Sequence, residues 1–191
     1  MLDDDCLPEA LTVLTESFHA NCSVYDVYKQ RCKYLKDGRE GDFYVMQCPD
    51  WVQVLALTPD QQIILVNQYR VGIKSFQLES PGGALNPGEI PEAGAARELL
   101  EETGYAGSAA LCLGFNYPNP ALQNNKVHYV LIANCTYQAK PSQDPMEDIQ
   151  VKLYPLAEAF AMVKKGTMKH ALVINAFYFL EQYLHNTYDG K

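Results

Sequence analysis

Residues 83–105 read Gly-Ala-Leu-Asn-Pro-Gly-Glu-Ile-Pro-Glu-Ala-Gly-Ala-Ala-Arg-Glu-Leu-Leu-Glu-Glu-Thr-Gly-Tyr. Pro91 suits a first helical position, Glu92 is favourable in a first turn, and Gly104 stops the run as a C-terminal glycine does. The stretch therefore predicts a helix over Pro91–Thr103. Ala96, Leu99, Leu100 and Thr103 then form an apolar stripe for a core. Glu98, Glu101 and Glu102 gather on the neighbouring face within one turn, where like charges three or four residues apart repel. Packing does not explain them, and a bound cation offsets the repulsion.

Upstream, Ser80-Pro81-Gly82-Gly83 and Asn86-Pro87-Gly88 form a glycine- and proline-rich loop of the kind that lets backbone approach a ligand. Mg2+ is held by oxygen, usually one or two carboxylates together with substrate phosphates and water, so a loop leading into an acidic helix suits an ion bridging to a phosphate. A solvated acidic face is the usual meaning of a charge run. Here the fixed spacing Gly-x5-Glu-x7-Arg-Glu-Leu-x-Glu-Glu-x-Gly-Tyr arises by chance in such a chain less than about once in a million, which sets coincidence aside.

Gly83, Glu89, Arg97, Glu98, Leu99, Glu101, Glu102, Gly104 and Tyr105 match every position of the Nudix box, and the chain resembles that family. The resemblance implies an α/β/α sandwich with a mixed sheet, a Nudix helix and C-terminal helices. It also implies hydrolysis of a nucleoside diphosphate linked to another moiety, with Mg2+ or Mn2+. By the same resemblance Glu98, Glu101 and Glu102 are metal ligands, the Gly82 carbonyl is a further ligand, and Glu89 with Arg97 forms a brace between loop and helix.

With 191 residues, 48% of them hydrophobic, the chain is long enough to bury a good core without disulfides or a structural metal. Cysteines 6, 22, 32, 48, 112 and 135 form no Cys-x-x-Cys pair and read as reduced thiols in a cytoplasmic protein. No signal-like start or apolar run of 18 residues indicates secretion or a membrane span. A net charge of -8 argues against gripping a nucleic-acid backbone, so an anionic substrate has to be drawn in locally by a metal and placed arginines.

Periodicity places strands at 42–48, 51–57, 62–69, 111–115, 127–134 and 149–154, and helices at 156–164 and 168–184. Residues 1–20 read as a variable leader with a short helix. The family resemblance implies that the segment 1–40 supplies N-terminal strands for a dimer, and 41–191 the catalytic domain. Gln68-Tyr69-Arg70 followed by Glu79-Ser80-Pro81-Gly82-Gly83 resembles the Nudix branch that cleaves ADP-ribose and nucleoside diphosphate sugars. Members of that branch are homodimers, which makes 24–32 and 42–48 the crossing strands.

Arg70 is a candidate to clamp phosphate oxygens, with a surface salt bridge as the alternative. Glu79 is either part of the metal shell or a loop anchor. Asn119, Gln123, Asn124 and Asn125 lie in a proline-stiffened, amide-rich loop that resembles one near the substrate of bacterial nucleotide sugar hydrolases, where amides read hydroxyls or a base edge. His128 reads as a hydrogen-bonded core residue. By resemblance the general base is a glutamate on a mobile loop, which Glu147 matches best with Asp144 as the fallback; Glu101 is counted as catalytic besides its ligand role. The expectation is Mg2+-dependent hydrolysis of a nucleoside diphosphate sugar, ADP-ribose or a hexose nucleotide such as GDP-mannose. The alternatives are another pyrophosphate substrate (a dinucleoside polyphosphate, a coenzyme such as NADH, or capped RNA), a non-catalytic ligand sensor, and an interaction module.

Overall fold

The computed structural model describes residues 10–143 and 148–188. Eleven strands and three helices follow in the order β1 (Leu11–Asn21), β2 (Asp26–Tyr34), β3 (Glu40–Gln47), β4 (Trp51–Leu57), β5 (Gln62–Arg70), β6 (Ser75–Glu79), α1 (Pro91–Thr103), β7 (Tyr105–Ala106), β8 (Leu111–Asn116), β9 (Val127–Ile132), β10 (Thr136–Tyr137), β11 (Gln150–Pro155), α2 (Leu156–Lys164) and α3 (Ala171–Tyr188). They divide between two compact units, one within Met1–Pro49 and Tyr117–Asn125, the other within Asp50–Asn116 and Lys126–Lys191.

The second unit is built on a mixed sheet in the order β11-β5-β4-β9-β8, with β6 beside β5. Its middle strands carry near-continuous apolar runs, as strands covered on both faces do. Alternation along β4 sends Val52, Val54 and Ala56 to one face, where they pack with Leu85, Ala95 and Leu99 from α1 and its loop. Leu55 and Leu57 go to the other face, against Val173, Phe177 and Leu180 of α3. The result is the α/β/α sandwich expected from the sequence.

β4 and β9 run parallel from Trp51↔Val127 to Ala56↔Ile132, whereas β4 and β5 share only the antiparallel pairs Ala56↔Ile64 and Leu57↔Ile63. Where those two strands part, the chain leaving β6 fills the gap. Val54 N–H donates to the Pro81 carbonyl (2.8 Å), Val52 N–H to the Gly83 carbonyl (2.9 Å) and Leu85 N–H to the Asp50 carbonyl (2.8 Å). The loop ahead of α1 is thus held as an extra length of strand.

α1 begins at Pro91 and ends at Gly104, which takes a left-handed φ of 75° and donates its N–H to the Leu100 carbonyl (2.8 Å). Its buried line is Ala95, Leu99, Glu102 and Thr103, with Leu100 40% exposed. This corrects the expected stripe of Ala96, Leu99, Leu100 and Thr103: the helix is turned so that one of the three carboxylates, Glu102, lies on its buried side.

In the first unit β1, β2 and β3 form an antiparallel meander. The expected leader with a short helix over 1–20 is corrected here, because residues from Leu11 onward are strand. Leu11, Val13 and Phe18 are all exposed, so β1 shows no one-sided burial pattern of the sort that reveals a strand in sequence. β6 is a further strand that the sequence periodicity does not place.

Leu99 fixes how α1 is turned and is fully buried. Leu99→Ala is expected to destabilise the second unit by about 2–5 kcal/mol in chemical denaturation, and to lower activity as the carboxylates lose their placement.

Candidate active site

α1 delivers its carboxylates to three different surroundings. Glu102 is 5% exposed and accepts the Gly82 N–H at 3.0 Å. Glu98 lies flat against Gly83: a Cβ there would meet Glu98 Oε1 at 2.5 Å. Glu101, the most open of the three, accepts from Arg97 Nη1 at 3.0 Å. The loop comes this close because Gly82 also has no side chain, and a Cβ there would run into the Val52 carbonyl oxygen. The Pro81 and Gly83 carbonyls both face β4. Alternation along an extended chain then turns the Gly82 carbonyl the other way.

Arg97 gathers the loop and the helix. Its Nε and Nη2 hold the two oxygens of Glu89 at 2.9 Å each, Nη2 also donates to the Ala84 carbonyl (3.1 Å), and Nη1 donates to Glu98 (2.8 Å) and Glu101 (3.0 Å). Glu89 also accepts the Asn86 N–H at 2.9 Å. The Arg97 guanidinium and that N–H bring the Glu89 carboxyl from 4.5 down to about 2, and the same carboxylates raise Arg97.

Among the described residues no three acidic, histidine or cysteine side chains converge into a ready-made ion cage. Glu98 and Glu101 lean on Arg97, and Glu102 leans on Gly82. The donor set nevertheless fits a hard divalent cation, since three carboxylates and a backbone carbonyl offer only oxygen. Such an ion would draw Glu98 and Glu101 away from Arg97, leaving that arginine to Glu89 and Ala84.

A second cluster lies just upstream. Glu79 is fully buried and is held two-pronged by Arg70, Nε to Oε1 at 2.9 Å and Nη2 to Oε2 at 2.8 Å, with His170 Nδ1 3.1 Å from Oε2. Burial pushes the Glu79 carboxyl up, but the bonds from His170 and Arg70 outweigh it and bring the group to about 2. Next to it Ser80 Oγ donates to Gln53 Oε1 at 2.5 Å. His170 lies far from Glu79 in sequence, so no local spacing could have disclosed it.

In the first unit, Asn124 Oδ1 accepts the Cys48 N–H (3.1 Å), Gln123 Nε2 faces Cys48 Sγ (3.7 Å), and the Asn119 carbonyl accepts from the N–H groups of Leu122 and Gln123. Two of the four candidate amide side chains, Gln123 and Asn124, therefore tie the loop to Cys48. Asn125 differs: it is 2% exposed, and both ends of its amide lack a hydrogen-bond partner. In the second unit His128 Nε2 lies 3.0 Å from Asp50 Oδ2, as a hydrogen-bonded core histidine would. Glu147 and Asp144 lie outside the described residues. A cleft of about 440 Å³ beside Asp148, Ile149 and Gln150 also takes in Asn67. Asn67 shares a sheet face with Leu65, opposite α1, so this cleft is not the carboxylate site.

The NUDIX domain family matches residues 50–177. The chain belongs to the Nudix family. As a Nudix hydrolase it is related to ADP-ribose and ADP-sugar pyrophosphatases. It is 29% identical over 174 residues to the ADP-ribose pyrophosphatase of Bacillus subtilis (strain 168), covering 91% of this chain and 93% of that one. It is 46% identical over 70 residues to the ADP-sugar pyrophosphatase of Mus musculus, covering 37% of this chain and 32% of that one. In architecture it is similar to an ADP compounds hydrolase of known crystal structure, with a TM-score of 0.83 at 21% identity, over 95% of this chain and 98% of that one. Nudix hydrolases generally use divalent metals, which agrees with the donor set. Among the described residues no helix is long and apolar enough to cross a membrane.

Gly83→Ala is expected to push Glu98 out of its seat and lower activity at least tenfold, with little change in thermal midpoint, because only that side chain must move. Glu79 and Glu89 are both depressed when folded, so each binds fewer protons folded than unfolded. Their contribution to stability is full above about pH 4.5 and drains as pH falls toward 2. Denaturation followed across that window should show the loss, and Glu79→Gln should remove Glu79's share of it, leaving that of Glu89, while lowering stability at neutral pH.

Proposed function

We propose that this Nudix hydrolase cleaves the pyrophosphate of a nucleoside diphosphate sugar, ADP-ribose or a hexose nucleotide such as GDP-mannose, to a nucleoside monophosphate and a sugar phosphate, using Mg2+ or Mn2+. The observation that carries the reading is the complete carboxylate set of α1, seated on Gly82 and Gly83, in a chain that aligns along nearly its whole length with an ADP-ribose pyrophosphatase.

Glu98, Glu101, Glu102 and the Gly82 carbonyl are the proposed metal ligands. A divalent ion held by these residues would supply charge neutralisation for the diphosphate and would make a bound water more acidic. Glu147 is proposed to take the proton of the attacking water as that oxygen bonds to phosphorus and the bridging P–O bond breaks. Arg70 is proposed to bind the diphosphate oxygens, and the loop carrying Asn119, Gln123, Asn124 and Asn125 to read the sugar or base. Asn125 is the strongest of these four, because its buried amide has donor and acceptor both unspent.

We also propose a homodimer. The sheet of β1, β2 and β3 leaves Leu11, Val13, Phe18 and Phe43 exposed, and Cys32 is its only buried side chain among the described residues. A three-stranded sheet with so little core needs cover, and a second copy would provide it.

The test is turnover of ADP-ribose, hexose nucleotides, dinucleoside polyphosphates and NADH with Mg2+ or Mn2+. Wild type should hydrolyse nucleotide sugars best, and Glu102→Gln should lose activity by about a hundredfold or more. Turnover of none of them, or full activity in that variant, would sink the reading. Glu147→Gln should slow kcat by about 100-fold or more while Mg2+ affinity by calorimetry stays near wild type. A normal rate would move the base elsewhere.

A further inference from the structure

The bond between Arg70 and Glu79 is not a simple cross-strand pair. Arg70 stands opposite Ser75, whereas Glu79 stands opposite Val66, four residues further along the same strand. At about 3.3 Å per residue that is about 13 Å, on one face of the sheet. The Arg70 side chain therefore runs back along the strand toward the Gln68↔Gln77 pair, where the Glu79 carboxylate meets it, so its guanidinium is turned toward the loop that follows Glu79 instead of the open end of β5. Glu79 decides where this cation sits.

Glu79 is itself fully buried, and a carboxylate shut away from water depends on every donor that reaches it. Oε1 has Arg70 Nε; Oε2 is shared by Arg70 Nη2 and His170 Nδ1. His170 Nδ1 is buried 3.1 Å from Glu79 Oε2, short of full hydrogen-bond alignment, and has no hydrogen-bond partner elsewhere, so Glu79 is the acceptor its N–H can serve. Without it Oε2 loses a donor where water cannot easily take its place, and the carboxylate settles against Arg70 alone.

We propose that His170, immediately before α3, is a positioning residue: acting through Glu79, it fixes the Arg70 guanidinium against the loop that holds the substrate diphosphate. This makes the seating of the C-terminal helix α3 part of substrate binding. It rests on the reading of Arg70 as a phosphate-binding residue.

The experiment uses the full chain with His170→Ala, His170→Asn, whose amide nitrogen stands in for Nδ1, and Arg70→Ala, alone and combined with His170→Ala. With a nucleotide sugar and Mg2+, His170→Ala should raise KM by about tenfold with kcat within about twofold, and His170→Asn should recover most of the loss. In the Arg70→Ala background, His170→Ala should add nothing. An undiminished effect there, an unchanged KM, or a lower thermal midpoint with unchanged KM would overturn the relay. Hydrogen exchange at Arg70 Nε–H, assigned by NMR through its loss in Arg70→Lys, should be slow in wild type and faster in His170→Ala. This readout needs no turnover. If wild type hydrolyses no nucleotide sugar, the substrate reading fails, and unchanged exchange overturns the relay independently.

Discussion

Three backbone hydrogen bonds, from Val54 to Pro81, from Val52 to Gly83 and from Leu85 to Asp50, lay the loop before α1 along the edge of β4, and the site depends on them. They are available because β4 and β5 separate after two residue pairs, leaving edge groups on β4 unpaired. An unpaired buried N–H is costly, so the wedge has to be filled. Filling it with Gly82 and Gly83 brings main chain close enough for Glu102 to accept an N–H and for Glu98 to rest on a bare Cα. A side chain at Gly82 would run into the β4 backbone and force the loop away, and one at Gly83 would displace the Glu98 carboxylate.

Around that loop the chain handles a surplus of negative charge with two arginines. Arg97 spans Glu89, Glu98 and Glu101, so the helix is stable before any ion arrives, although its carboxylates repel one another. Two of those three bonds are the ones a cation would replace. Glu89 keeps its bond and its strongly depressed carboxyl, so the brace between loop and helix persists whichever partner Glu98 and Glu101 have. Arg70 is held differently. Its partner Glu79 is fully buried and holds it through two hydrogen bonds, so the fold around Glu79 helps set its place.

The features legible in this sequence are the local ones. The bounds of α1, the loop, the strands β4, β5, β8, β9 and β11 and the helices α2 and α3 all follow from short-range periodicity and punctuation, and they appear in the structure within a few residues of expectation. β1 escaped because both its faces are open, and period-two burial is the signal by which strands are read. The expected helix stripe takes Ala96 and Leu100 where the structure buries Ala95 and Glu102; Ala95 and Ala96 carry the same side chain, and only the sheet decides between them. The amide-rich loop looked uniform in sequence. In three dimensions Gln123 and Asn124 are spent on Cys48, and Asn125 alone has an unmatched buried amide.

The sequence by itself determined the helix, the glycine loop, the three carboxylates and the hydrolase family, because these are encoded in fixed spacings within a few turns of chain. Only the tertiary structure decided that Glu102 is the buried member of the three, that Arg70 folds back onto Glu79 and that His170 joins them. Each of those facts depends on which strands and helix ends meet across long stretches of sequence. Such meetings are set by the packing of the whole sheet and leave no spacing for a reader of the chain to find.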